Sequence, residues 1–222
     1  MTDSNVLEAR GLYRFFHAGD EEVQALKGVS IVAERGEIVA LVGPSGSGKS
    51  TLLACIAGID EPDGGYVKIR GQRMTRRSEP VKAMMRARSL GVVLQSNNLI
   101  EHLTVIQNVT LAQRLAGKKG TKKPIELLAE AGIEHLAHSH PSMLSGGESV
   151  RASIAVALAN DPPLVLADEP TGELDLANEE NILQVFERLR NQGVAFVLAT
   201  HSAAVAQRAA RVVHLSDGQI ID

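Results

Sequence analysis

The run Gly43-Pro44-Ser45-Gly46-Ser47-Gly48-Lys49-Ser50-Thr51 restricts the possible folds of this chain more than any other segment. It matches the phosphate-loop pattern G-x-x-x-x-G-K-[ST] in full. Such a loop works only between a strand and the N-terminus of a helix. Both flanks comply: Glu37-Ile38-Val39-Ala40-Leu41-Val42 reads as a short apolar strand, and Ser50 to Ala57 reads as a buried helix. The glycines let backbone N–H groups close around phosphate oxygens, and the helix end adds roughly half a positive charge. Lys49 is placed to reach β- and γ-phosphates, and Ser50 to set its hydroxyl on Mg²⁺. The segment implies a nucleoside triphosphate site.

The rest of the composition narrows the class. With 222 residues and 44% hydrophobic content, the chain can bury a full core, and one large domain over 1–222 is expected. A net charge of -3 argues against an electrostatic nucleic-acid binder. Met1-Thr2-Asp3-Ser4-Asn5 is polar and leads into no apolar signal-type segment, and no apolar run approaches the roughly 18 residues needed to span a bilayer. A membrane role would therefore require docking onto another protein, without direct membrane insertion. Cys55, alone on the apolar helix after the loop, reads as a core thiol in a reducing compartment.

Along the chain, Val6 to Ala9, Leu26 to Val32, Glu37 to Val42 and Tyr66 to Ile69 are short strand-like runs separated by turn residues such as Asp63-Gly64-Gly65. Leu90 to Leu94 is a further strand. From Thr104 to about Asn160 the pattern is helical, with Thr104 as N-cap and Val105, Val109, Ala112 and Leu115 at helical spacing. Gly117 to Pro124 interrupts it as a lysine-rich loop, read either as a solvated turn or as a contact for acidic groups or lipid headgroups. Strand and helix then alternate again: Leu164 to Ala167, Leu176 to Arg190, Val194 to Ala199. Bare apolar runs separated by helices indicate a parallel sheet covered on both faces. The expected architecture is an α/β core with an N-terminal antiparallel β region and a helical insert over about 97–160.

A second acidic site follows from Leu164-Val165-Leu166-Ala167 running straight into Asp168-Glu169. Alternation along a strand sends neighbouring side chains to opposite faces, so the two carboxylates are expected to take different tasks. Asp168 is assigned to the magnesium shell and Glu169 to the attacking water as general base. Gln95 and His201 each follow an apolar strand, at the end of a parallel sheet where ligands bind, and either can reach the γ-phosphate or its metal. Each is equally readable as a structural hydrogen-bonder.

Leu144-Ser145-Gly146-Gly147-Glu148, before a long helix and upstream of Asp168-Glu169, resembles the signature motif of the ABC-transporter ATPases. The resemblance covers nearly the whole chain and implies a P-loop NTPase core of ABC type that binds and hydrolyses ATP with Mg²⁺. It places the adenine-stacking aromatic on Phe16, the phosphate loop on Gly43, Pro44, Ser45, Gly46, Ser47, Gly48, Lys49, Ser50 and Thr51, and the glutamine loop on Gln95. The strand acids fall on Asp168 and Glu169, the D-loop on Gly172-Glu173-Leu174-Asp175, and the switch histidine on His201. Glu169, His201 and Lys49 are thus the implied catalytic residues, and Ser50, Gln95 and Asp168 the implied metal ligands. Ala25 to Ser30, Asn98-Leu99-Ile100 and Ala167 to Gly172 look closest to the lipoprotein-release and macrolide-export subgroup.

Ser145-x-x-Glu148 is also a capping box, and the two readings are compatible, because a capped helix start offers free N–H groups to an anion. The resemblance makes that anion the γ-phosphate of ATP held by a second subunit, with Ser145, Gly146, Gly147, Glu148 and Asp175 as its contacts. It further implies an ATP-sandwich dimer docked on an integral membrane permease, peripheral on the cytoplasmic face of the membrane. Leu99, Ile100, Leu103 and Val105 are apolar enough to line the receiving cleft or simply to pack the insert. The chain departs from the family pattern at Ser149-Val150, Val156, Ser202 and Glu173, none of which removes a phosphate ligand, the metal ligand or the base. The alternative class is a soluble ABC-type ATPase acting on nucleic acid or ribosomes. Such relatives usually carry coiled-coil insertions, zinc modules or two cassettes, which are not seen here.

Overall fold

Apolar side chains on both sides of a strand allow a sheet to be buried on both faces, and this chain uses that freedom in its central sheet. The computed structural model describes residues 5–18, 21–94, 98–117, 121–172 and 174–221. Two long strands, β1 (Asn5–Ala18) and β2 (Glu21–Glu34), pair antiparallel with several register shifts. β3 (Ile38–Val42) leads into the phosphate loop and α1 (Lys49–Ile56). β4 (Gly64–Ile69) and β5 (Gln72–Arg73) complete a four-stranded antiparallel sheet of order β2-β1-β4-β5. The N-terminal β region expected from the sequence is therefore present, with strands longer than the apolar runs alone indicated.

Helix α2 (Glu79–Ser89) and strand β6 (Leu90–Val93) follow. The middle of the chain holds α3 (Val105–Leu115), α4 (Pro124–Glu130), two 3₁₀ turns (Glu134–Leu136 and Pro141–Met143) and α5 (Gly146–Ala157). Thr104 caps α3 as expected: its hydroxyl accepts from the Gln107 N–H while the Gln107 side chain accepts from the Thr104 N–H. After β7 (Leu164–Asp168), α6 (Leu176–Asn191), β8 (Ala195–Ala199) and α7 (Ala203–Arg208), the chain ends in β9 (Arg211–Ser216) and β10 (Gln219–Ile221). The second sheet runs β10-β9-β3-β8-β7-β6, parallel except for the β9–β10 hairpin. Helix α2, α7 and the β9–β10 hairpin were not read from the sequence, because α2 is rich in charged residues and α7, β9 and β10 are too short to set a clear period.

Two apolar clusters meet at this sheet. Val39, Leu41, Leu164, Leu166, Ala195, Val197 and Ala199 face α1 and the antiparallel sheet, while Ile38, Val165, Ala167, Phe196 and Leu198 face α3 to α6. The helical middle segment thus packs on the second face of the central sheet, with Phe186 and Phe196 tilted against each other at 5.1 Å between ring centroids. Among the described residues, no helix is long and apolar enough to cross a membrane.

Candidate functional site

The phosphate loop takes its shape from positions where side chains have no room. Gly48 has φ +105°, and a Cβ there would lie 2.5 Å from the Ala25 carbonyl oxygen, so the loop presses against β2. The β9–β10 turn backs it from the other side, with Gly218 donating to the Ser47 carbonyl at 3.0 Å. Gly48 is the N-cap of α1 and provides no side-chain acceptor, so the first amides of α1 open toward a concavity of about 390 Å³. That cavity is lined by Ala25, Ser45, Gly46, Gly48, Lys49, Ser50, Thr51, Asp168, Glu169 and His201. Residues from four separate stretches of sequence are brought together there.

Lys49 is only 6% exposed, and its ammonium donates to the Gly43 carbonyl at 2.7 Å and the Pro44 carbonyl at 3.2 Å. His201 Nε2 lies 3.3 Å from Lys49 Nζ and 3.3 Å from Glu169 Oε1, so the proton on this nitrogen decides which neighbour it serves. Glu169 Oε2 accepts from the His201 N–H at 3.2 Å, whereas the buried Oε1 has no hydrogen bond. Ser47 Oγ is a second buried polar atom without a partner at this loop. Buried polar atoms left unpaired beside a concave wall of amides fit a bound polar ligand.

Strand alternation would have sent Asp168 and Glu169 to opposite faces. The structure does otherwise. Asp168 ends β7, and Glu169 adopts φ +48°, a left-handed conformation uncommon for a side-chain-bearing residue. This local turn brings both carboxylates to the same cavity, and the Glu169 N–H still bonds the Ala199 carbonyl at 2.9 Å. Left-handed non-glycine backbone held in place by its surroundings is common at functional sites.

The signature segment forms a second cluster. Ser145 caps α5: its N–H and hydroxyl donate to Glu148 Oε2, both at 2.8 Å, and its Oγ accepts from the Glu148 N–H at 3.4 Å. These bonds, the Ser145 N–H foremost, hold the Glu148 carboxyl below the usual carboxylate range. Asp175 caps α6 in the same way, accepting from the N–H and side-chain amide of Asn178, and its carboxyl is likewise lowered. Asn178 also accepts from Arg151 at 3.3 Å and covers Gly147, where a Cβ would sit 2.6 Å from its Oδ1. None of Ser145, Gly146, Gly147 and Glu148 lines the cavity at the phosphate loop, and Ser145 and Gly146 are exposed.

A family model described as ABC transporter matches residues 26–172. This chain belongs to the ABC transporter family. It is an ATP-hydrolysing cassette of that family. The chain is 41% identical over 223 residues to the lipoprotein-releasing system ATP-binding protein LolD of Zymomonas mobilis, covering 99% of this chain and 96% of that one. It is 39% identical over 219 residues to the macrolide export ATP-binding/permease protein MacB of Hyphomonas neptunium, covering 97% of this chain but 34% of that protein. Among solved structures, the ATP-binding cassette MJ0796, in a dimeric post-hydrolysis state bound to ADP and Pi, superposes with a TM-score of 0.90. It is 35% identical, with 97% of each chain covered.

Other expected positions of the cassette are distributed less simply. Phe16 lies on β1, 40% exposed and outside the cavity lining, with the Arg14 guanidinium 4.6 Å from its ring centroid. Arg14 is itself fastened to Asp60 at 2.8 Å and Asp63 at 3.2 Å, so one ring face is covered from behind. Gln95 and Glu173 fall outside the described residues. Of the four apolar residues expected to line a docking cleft, Val105 is buried in the core and Leu99 packs against it, Leu103 is half-buried, and Ile100 is exposed. The surface that does open beside α1 is a concavity of about 230 Å³ lined by Leu53, Ala54, Ala57, Ile59, Val92, Val93 and Leu94, with Ser50 and Asp168 at one end. Ile59 and Leu94 are 58% and 47% exposed. Asn178 and Glu179 were not singled out from the sequence, and nothing in their local spacing distinguishes them; Ala25 was read only as part of a subgroup segment, not as a wall of the cavity.

Proposed function

We propose that this cassette is the energy subunit of an ABC transporter or membrane mechanotransmission complex, working as an ATP-sandwich dimer on an integral membrane permease of the export-type subgroup. One observation carries the dimer: the phosphate-loop cavity gathers Lys49, Ser50, Asp168, Glu169 and His201 but no signature residue. The exposed Ser145-Gly146 start of α5 faces outward instead, and a second copy supplies what each cavity lacks. The LolD and MacB relatives support the export-type assignment, and the dimeric neighbour supports the pairing. The apolar concavity beside α1, with the exposed Ile59 and Leu94 in its lining, is the surface offered to the permease, on the cytoplasmic side of the membrane.

Within each composite site, the first amides of α1 and the remaining proton of the Lys49 ammonium bind the β- and γ-phosphates. Ser45, Gly46, Ser47 and Gly48 shape the loop around them, between Gly43-Pro44 and α1, and Thr51 lines the cavity from the first turn of α1. Phe16 offers its free face to adenine. Ser50 and Asp168, with Gln95, would hold Mg²⁺, and the donors fit: a hydroxyl and a carboxylate, both hard oxygen ligands, line the same cavity. Magnesium commonly binds one or two protein oxygens and completes its shell with phosphates and water. Bound there, it would neutralise charge on the phosphate oxygens. Glu169 Oε1, buried and without a hydrogen bond, accepts the proton of the attacking water, and His201, with Nε2 3.3 Å from that oxygen, steadies the γ-phosphate. From the second copy, the Gly146 and Gly147 amides of α5 contact the same phosphate, with Ser145 and Glu148 holding the helix start and Asp175 the neighbouring D-loop.

The test is Glu169→Gln. Turnover is expected to fall about 10²–10⁴-fold, the usual worth of a positioned base, while ATP binding persists and ATP-dependent dimers accumulate. Adding Ser145→Arg should abolish those dimers and leave single-chain ATP binding intact, as read by light scattering. Capture of the Glu169→Gln dimer from solubilised membranes is expected to recover a multi-spanning membrane protein. Parental turnover in the variant, or recovery of only soluble or nucleic-acid partners, overturns the reading.

A further inference from the structure

The Glu179 carboxylate, on the first turn of α6, joins two loops that approach the cavity from different strands. Its Oε1 accepts from Thr171 Oγ1 at 3.1 Å and from Ser202 Oγ at 2.6 Å. Thr171 is buried in the turn that follows Glu169, a turn closed by the Gly172 N–H on the Glu169 carbonyl at 3.2 Å. Ser202 directly follows His201 and caps α7, accepting from the Ala204 and Val205 N–H groups at 3.1 and 3.3 Å. Its own N–H donates to the buried Thr200 hydroxyl at 2.9 Å. Two hydroxyl protons therefore converge on one carboxylate oxygen, one from the loop of the general base and one from the loop of the switch histidine.

Charge explains why these residue types occur together. An aspartate at position 202 could still cap α7, yet it would bring a second carboxylate to the position where the Ser202 hydroxyl now donates to Glu179. Like charges at that separation repel, and neither oxygen could offer a proton. Ser202, which departs from the aspartate usual after the switch histidine, is the donor that Glu179 requires. The two positions form a matched pair.

We propose that Glu179 is a positioning residue that locks the Glu169 turn and the His201 loop into one register, so that base and histidine enter and leave the composite site as a unit. The proposal rests on the roles of Glu169 and His201 given above. It places the coupling outside the nucleotide contacts, since neither Thr171, Glu179 nor Ser202 lines the cavity. Misplacement of a catalytic group by about 1 Å can cost on the order of 10²-fold in rate, so loss of this link should appear in kcat.

Four full-length variants test it by steady-state ATP hydrolysis, with nucleotide affinity and melting temperature measured alongside. Glu179→Ala is expected to lower kcat about 10- to 10²-fold, with KM and ATP affinity within about twofold of the parent. Glu179→Gln keeps a carbonyl acceptor for both hydroxyls and should stay within about threefold of the parent. Ser202→Asp should fall as far as Glu179→Ala, and adding Glu179→Gln to it should restore kcat, because the glutamine amide can donate to the new carboxylate. Parental kcat in Glu179→Ala, failure of the paired exchange to recover, or an equal loss of ATP affinity and thermal stability would each overturn the proposal. Glu169→Gln in the same assay separates the two readings: parental turnover there removes the base, whereas its loss beside a parental Glu179→Ala removes only the link.

Discussion

At the scale of single residues, the site depends on a few atoms whose environment is set by their neighbours and not by their own chemistry. Glu169 is placed by a left-handed backbone turn that takes it off the β7 alternation and into the cavity with Asp168. Lys49 is kept in place by loop carbonyls and not by a counter-charge, since it forms no ion pair among the described residues. Cys55 shows the opposite case. It lies fully buried on α1 behind the loop, and burial, with Asp60 nearby, pushes its thiol up to about 12. The native protein is therefore expected to resist an aromatic disulfide reagent at neutral pH and to react at one thiol per chain on unfolding, followed by absorbance. Rapid labelling of the native chain would show that α1 opens. The core role of Cys55 was legible in the sequence because every nearby residue of that helix is small or apolar.

At the scale of elements, the helix starts at the proposed site are each built differently. Helix α1 has no side-chain cap and leaves its first amides open to the cavity, whereas α5 and α6 close theirs with Glu148 and Asp175. Both carboxyls sit below the usual range because they accept from Ser145 and Asn178 respectively. A depressed folded value means that the contribution to stability is present above the unfolded value and is lost as pH falls through the folded one. Acidification below the ordinary carboxylate range should therefore loosen the starts of α5 and α6. Hydrogen exchange at the Glu148 and Asn178 amides should rise, relative to the β3 and β8 amides, as pH is lowered toward about 3. Uniform protection across all four elements would contradict this account. The boxes at Thr104 and Ser145 could be read directly because a cap is a contact three residues away in sequence. The Asn178 contacts to Gly147 and Arg151 join residues far apart, and no local pattern announces them.

At the scale of the whole molecule, one parallel sheet organises everything. Its first face seats α1 and the antiparallel β sheet, and its second face seats α3 to α6, so the phosphate loop and the signature helix are held by the same strands. Phe196, fully buried on β8 against Phe186 of α6, is central to the second face. Phe196→Ala should cost about 3–5 kcal/mol by denaturant unfolding, with ATP affinity retained in whatever fraction stays folded. A cost below about 1 kcal/mol would mean that the helices are not carried by the sheet. The sequence alone determined the fold class, the phosphate loop, the acidic strand end and the capped signature, because each is a short pattern whose chemistry depends on adjacent residues. Only the tertiary structure decided that Asp168 and Glu169 share one cavity, that Val105 is core while Ile59 and Leu94 are surface, and that Glu179 ties Thr171 to Ser202. Those outcomes depend on which distant segments the sheet brings within hydrogen-bonding or packing distance, and local sequence spacing contains no record of that.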